Sequence, residues 1–407
     1  TYAEEITTLN YLINTTWVDM SVAANLIDAL AQYDKYGILQ PALAESWKVS
    51  EDGLEWTFNL RKGVMWVDYE GNEIAETTAH DFVSSAKYIL TKANESESAN
   101  LVYSVIKNAE EYFNEEITDF SQVGVRAEDD YTLVYTLKKP VPYFESMLTY
   151  VSFFPVYGPF LEEMGDQFGT ANSTLLYNGA YLLTEFEPQM QRLLTKNEAY
   201  WDKDNIFVKE LNYKYNKEAS ALGGELFKRG EVSHAIIPPA NLDEWMTNPE
   251  LKDKVSPDRL GTYTFFYAFN FKPNFDAEYE PDNWKIAVNN SNFRKSIMSS
   301  FNRVASMATE DPYNPEFRII NTITPPNFAS QDGLDFTDTG NLAKLNDVNF
   351  FNEDEAKAYK EKAVEELTAA GATFPVKILM PYNTNSSYWA NEAQVVKQQL
   401  ETLLGTD

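Results

Sequence analysis

Across residues 356–405 the apolar positions change their spacing twice, and that change narrows the folds open to the chain. Ala356, Tyr359, Ala363, Val364 and Leu367 recur at helical intervals, and Gly371 stands where a helix end takes a left-handed residue. Val376, Ile378 and Met380 then alternate as in a strand. Ala393, Val396, Leu400 and Leu403 resume the helical interval up to Gly405. Helix, strand and helix in succession are parts of an α/β crossover, because neighbouring parallel strands need a long connection that is usually helical. The strand that should follow is expected beyond Asp407, so the pattern predicts an architecture interrupted at that point.

Other segments carry their own signals. Residues 9–13 read as a short strand, followed by a helical pattern through Ala23, Leu26, Ile27 and Leu30. Trp47 and Val49, then Trp56, Phe58 and Leu60, alternate on either side of Asp52-Gly53, which predicts a hairpin. Thr78 with Asp81 three residues on can cap a helix whose apolar face is Phe82, Ala86, Ile89 and Leu90. Residues 131–137 read as a strand and residues 144–148 as a short helix. The aromatic run over residues 261–271 predicts a buried strand. Phe293, Ile297, Met298 and Phe301 mark a further helix, and residues 331–355 a solvated loop.

Composition removes several function classes. At 407 residues with 44% apolar content, the chain can build about two or three domain cores. A formal charge of −29 speaks against nucleic acid, since phosphate binding needs clustered Lys and Arg. It speaks equally against an anionic membrane surface. Solubility is the plain reading of that charge, with some steering of cationic ligands. There is no cysteine, hence no disulfide, no thiolate metal site and no Cys nucleophile. No apolar run approaches a membrane span. The two histidines, His80 and His234, stand far apart with no Gly-x-Ser-x-Gly elbow, which leaves a Ser-His-Asp triad or a His-based zinc site without its parts. Paired carboxylates for glycoside hydrolysis are expected by chance among 62 Asp and Glu residues. No cofactor or metal is expected. The aromatic residues are the remaining resource: most belong in the core, but Trp17, Tyr263 and Trp389, near loop ends, could line a pocket for varied side chains.

Across residues 174–235 stand Asn178-Gly179-Ala180-Tyr181, then Tyr200-Trp201-Asp202, then a helical segment ending in Lys228-Arg229-Gly230-Glu231. That order of motifs resembles the oligopeptide-binding proteins of ABC importers, extracellular solute-binding protein family 5 of the peptide/nickel-binding type. Residues 39–64, 78–83, 131–140, 269–303 and 321–326 are similar to further family segments in the same order. The resemblance implies an α/β, two-lobed, type II periplasmic-binding-protein-like clamshell with an inserted subdomain in lobe one. It places the lobe one core at residues 1–32 and 161–260, the insertion at 33–160 and lobe two at 261–407. The C-terminal part of lobe two is expected to be missing, together with a later aromatic-and-aspartate segment that holds the peptide amino terminus.

By the same resemblance the function is capture of oligopeptides between the lobes and their delivery to a permease and ATPase, without enzymatic chemistry. Thr15, Thr16, Trp17, Tyr263 and Phe266 are the implied ligand contacts, and Asn178, Gly179, Ala180 and Tyr181 a structural turn near the hinge. Gly179 is expected to permit a tight bend. The protein is expected to be a monomer outside the cytoplasm, as a periplasmic protein or a surface lipoprotein whose anchor lies upstream of Thr1. The same fold binding an oligosaccharide or a metal chelate, a secreted carboxylate-dependent hydrolase, and a surface receptor stand as alternatives.

Overall fold

The first apolar run departs from its expected form. Residues 9–13 do not make a strand; they form a buried turn, because short polar side chains divert the backbone. Asn10 N–H donates to Thr8 Oγ1 at 3.0 Å, and Leu12 N–H donates to Asn10 Oδ1 at 3.1 Å. Such local bonds compete with any ladder. Helix α1 (Trp17–Leu26) follows, capped by Thr16 and burying Asp19, Ala23 and Leu26, but it is shorter than the expected pattern: Ile27 is already extended, and Ile27 and Leu30 are buried beyond the helix end. These features belong to a computed structural model that describes residues 1–257, 263–331, 333–382 and 387–406. The chain divides into two units, Thr1–Ile236 and Ile237–Asp407.

In the first unit the Asp52-Gly53 signal folds as predicted. Strands β1 (Ala44–Val49) and β2 (Glu55–Leu60) pair antiparallel, with Gly53 at φ +71° in the turn. Helix α2 (Ala79–Leu90) buries Phe82, Ala86, Ile89 and Leu90, the expected face. Its start is fixed by Asp81, whose Oδ2 accepts from Thr78 N–H at 2.8 Å and from Trp66 Nε1 at 2.9 Å. Strands β3 (Val125–Asp129) and β4 (Thr132–Thr136) complete an antiparallel sheet in the order β1-β2-β4-β3. Its core is aromatic: Trp56, Phe58, Tyr135, Phe144 and Phe153 stack with centroids 5.3–6.4 Å apart. Edge-to-face contacts of this kind add to the gain from burial alone.

A second sheet of that unit comprises β5 (Tyr181–Glu187), β6 (Gln191–Lys196) and β7 (Glu210–Lys214) in the order β7-β6-β5. The amino-terminal segment is tied to it: Tyr2 bridges to Tyr215, and the buried Arg192 guanidinium lies 3.7 Å over the Tyr2 ring. Helix α3 (Ala219–Lys228) then ends at Gly230, which has φ +73°.

The second unit is helical. Helices α4 (Pro281–Asn289), α5 (Ser291–Ser300) and α7 (Glu353–Ala369) enclose Trp284, Ala287, Val288, Phe293, Ala363 and Leu367. Between them lies the short α6 (Arg303–Met307), and α8 (Ser387–Leu404) follows with Ala393 and Val396 buried. Gly371 takes φ +82° just past α7, as its sequence position predicted.

Two expectations are corrected here. Gly261 and Thr262 lie outside the described residues, but residues 263–271 form neither a strand nor a buried segment: Tyr263, Phe265, Phe266 and Tyr267 are all at least half exposed. Residues 376–380 also lack strand pairing, and of the alternating trio only Val376 packs against the core. A strand needs a ladder partner. Among the described residues of this unit the β pairing is confined to Ser330–Gln331 with Leu334–Asp335, so neither run has one.

Candidate functional site

The buried turn at residues 9–13 delivers Asn14, Thr15, Thr16 and Trp17 to the surface of the first unit. The turn is tied down by Ser96 Oγ donating to Leu12 O at 2.6 Å and Glu97 N–H donating to Ile13 O at 3.0 Å. Thr15 uses both donors on Glu97: its N–H and Oγ1 lie 3.4 and 3.2 Å from Oε2. Thr16 N–H donates to Asn14 Oδ1 at 2.6 Å, while its hydroxyl accepts from Asp19 N–H at 3.4 Å. Asp19, buried, also accepts from Thr7 through N–H and hydroxyl. Everything around Trp17 is therefore held, yet the indole itself is 71% exposed. Such a ring offers solvent a large apolar face and one indole N–H.

The turn at residues 178–181 serves the interior of the same unit. Asn178 is buried, and its Oδ1 accepts from Asp28 N–H at 2.9 Å. Gly179 N–H donates to Leu26 O at 2.9 Å, and Ala180 O accepts from Asn197 N–H at 2.9 Å. Tyr181 closes the turn through its hydroxyl, which donates to Val208 O at 3.0 Å. The expected reason for Gly179 needs correcting. It does not have a positive φ; a Cβ there would stand 2.6 Å from Leu26 C and 2.8 Å from Ile27 N. Close backbone approach requires the glycine.

Next to this turn is a polar cluster that sequence reading missed. Asp28 Oδ2 accepts from Trp201 Nε1 at 2.6 Å, and Oδ1 accepts from Ala29 N–H at 3.2 Å. Arg61 stacks on the Trp201 ring at 3.9 Å and donates through Nε to Ala42 O at 2.6 Å. Burial pushes the Asp28 carboxyl up to about 6, opposed by the Trp201 and Ala29 hydrogen bonds and the Arg61 charge. An acid inside the apolar run Leu26-Ile27-Asp28-Ala29-Leu30 was the available signal. The cluster joins residues 28, 61, 178 and 201 of one unit, and every group in it is engaged in holding another.

In the second unit Tyr263 and Phe266 are 63% and 65% exposed. Their neighbours are partly anchored: Phe265 meets Trp389 at 5.4 Å and Tyr267 meets Phe301 at 5.7 Å between centroids. Trp284 Nε1 fixes the end of the run by donating to Asn270 O at 2.8 Å. Thus Thr15, Thr16 and Trp17 come together in one unit, Tyr263 and Phe266 in the other. Both histidines are exposed; His80 lies 3.4 Å from Asp130 at the start of α2. Among the described residues no cluster of three His, Asp or Glu side chains could hold a metal, and no helix is long and apolar enough to cross a membrane.

Residues 39–407 match the family described as bacterial extracellular solute-binding proteins, family 5, middle part. The chain belongs to this family. It is 33% identical to the oligopeptide-binding protein SarA of Streptococcus gordonii, over 98% of this chain and 63% of that protein. It is 34% identical to the oligopeptide-binding protein AmiA of Streptococcus pneumoniae, over all of this chain and 65% of AmiA. The chain therefore spans less than two thirds of these relatives' length. Among solved structures, the substrate-binding domain of an oligopeptide ABC transporter from Bacillus anthracis superposes with a TM-score of 0.70 at 25% identity, over 100% of this chain and 72% of that one. The fold is accordingly α/β of the type II periplasmic-binding-protein-like kind.

Proposed function

We propose that this chain is the substrate-binding subunit of an ABC importer, capturing oligopeptides outside the cytoplasm and delivering them to a permease served by an ATPase. The observation that carries the reading is the 33–34% identity, across nearly the whole chain, to relatives named as oligopeptide-binding proteins. The site chemistry supports it. A peptide offers one donor and one acceptor per residue, and burying them unpaired is costly, so a binder of many sequences must satisfy the main chain. Extended backbone pairing does this without regard to side chains, and aromatic surfaces accept unlike side chains. Thr15, Thr16 and Trp17 in the first unit and Tyr263 and Phe266 in the second are the proposed contacts, with residues 178–181 as structural support. No bond is made or broken in this reading.

The finer division of the chain into residues 1–32, 33–160, 161–260 and 261–407 is part of the proposal. So are a monomeric state and a surface or periplasmic location, with a lipid anchor upstream of Thr1 in the lipoprotein case. Calorimetry of the full-length protein with mixed tetra- to octapeptides tests the reading. Saturable peptide binding is expected; silence toward peptides combined with binding of oligosaccharides would overturn it.

A further inference from the structure

A closed ring of hydrogen bonds surrounds the start of α1, next to Trp17 in the chain. Asp19 N–H donates to Thr16 Oγ1 at 3.4 Å, and Thr16 N–H donates to Asn14 Oδ1 at 2.6 Å. Asn14 Nδ2 donates to Thr7 Oγ1 at 2.6 Å, and the Thr7 hydroxyl donates onward to Asp19 Oδ2. Thr7 N–H also reaches Asp19 Oδ1 at 2.9 Å. The circuit begins and ends on Asp19, which is 5% exposed within α1.

The ring runs in one direction only. The Thr7 hydroxyl has a single hydrogen and gives it to Asp19, so position 14 must bring a donor to Thr7 and an acceptor to Thr16 N–H. A primary amide does both. An aspartate there would leave Thr7 Oγ1 facing a second acceptor, with one contact unpaired. Capping α1 needs only the Thr16 hydroxyl on Asp19 N–H. Asn14 and Thr7 add a further restraint: they fix the backbone one residue before Trp17, while Asp19 holds it two residues after. A contact residue on a loose backbone has to be ordered when ligand binds, and that ordering weakens affinity. A frame closed before binding removes the cost.

We propose that Asn14 is a positioning residue for peptide capture: by joining Thr16 to Thr7 and Asp19, it holds Trp17 in the orientation in which the indole meets the ligand. This rests on the peptide reading above and on Trp17 as a contact. Asn14 acts through Trp17 and not on the peptide.

The test is a double-mutant cycle, read by calorimetry of the full-length protein with one acetylated, amidated hexapeptide. Asn14→Ala alone is expected to weaken binding about fivefold, and Trp17→Ala alone about tenfold. With both substitutions the loss is expected to stay at about tenfold, because the ring then has no indole to position. Thr7→Val breaks the same circuit and is expected to match Asn14→Ala, whereas Thr7→Ser keeps the hydroxyl and should stay within about twofold of the native affinity. Thr7 is exposed, so this pair, run through the same cycle, keeps the test available if Asn14→Ala does not fold. A merely structural role would lower the Tm and multiply the two losses to about fiftyfold. That outcome, native affinity in Trp17→Ala, or native affinity in both Asn14→Ala and Thr7→Val overturns this inference and leaves peptide capture standing. Failure of the native protein to bind this hexapeptide or mixed tetra- to octapeptides overturns both.

Discussion

Replacing Asp28 by Asn should change how the stability of the first unit depends on pH. The carboxyl is buried against Trp201, and its folded pKa of about 6 lies above the ordinary 3.8. In this window the folded form binds the proton more tightly than the unfolded chain. Stability from this group is therefore greatest when both forms are protonated, and falls as pH rises from about 4 through about 6. At ~1.4 kcal/mol per pH unit the full loss is ~3 kcal/mol, of which ~2 kcal/mol falls between about pH 4.5 and about pH 7.5. Asn cannot titrate, so the Asp28→Asn protein should gain ~2 kcal/mol on the native sequence over that interval. One lost acceptor offsets the two curves by ~1 kcal/mol at every pH without changing their difference in slope. Urea unfolding followed by tryptophan fluorescence at several pH values measures this, and the other carboxylates cancel in the comparison. Curves that run parallel within ~0.5 kcal/mol across the interval would refute the burial argument.

Gly179→Ala should destabilise the first unit by ~1–3 kcal/mol, because its Cβ would meet the backbone of Leu26 and Ile27 and strain the Gly179-to-Leu26 hydrogen bond. Calorimetric melting should show a lower Tm, whereas an unchanged or higher Tm would mean that the approach is not close. Trp17→Ala removes an exposed ring and should leave the Tm within about 2 °C of the native value, while weakening peptide binding about tenfold. Undiminished affinity in that variant would remove Trp17 from the proposed contacts.

Much of the fold could be read where a segment carries its own constraint. The Asp52-Gly53 hairpin, the Thr78–Asp81 helix start and the Gly371 stop each depend on residues within one turn or one hairpin, and each formed as the pattern indicated. Residues 9–13 failed because apolar content does not distinguish a buried turn from a strand; Thr8 and Asn10, which decide it, act through side-chain bonds to the backbone. Residues 263–271 and 376–380 failed for a different reason. Their apolar content suits a sheet, but the identity of a ladder partner is not written in the strand itself. At the candidate site, Trp17 is expected after a strand; a turn stands there instead, and the ring is exposed. The roles of Asp28 and Arg61 are not legible in the sequence because they come from burial and from partners distant in sequence.

The central claim is that ligand is gripped through its main chain. Titrating one bound hexapeptide against its counterparts methylated at single backbone nitrogens tests this most directly, since methylation deletes one donor and keeps every side chain. About tenfold weaker binding at two or more interior positions is the predicted result. Affinities unchanged at every methylated position would contradict it.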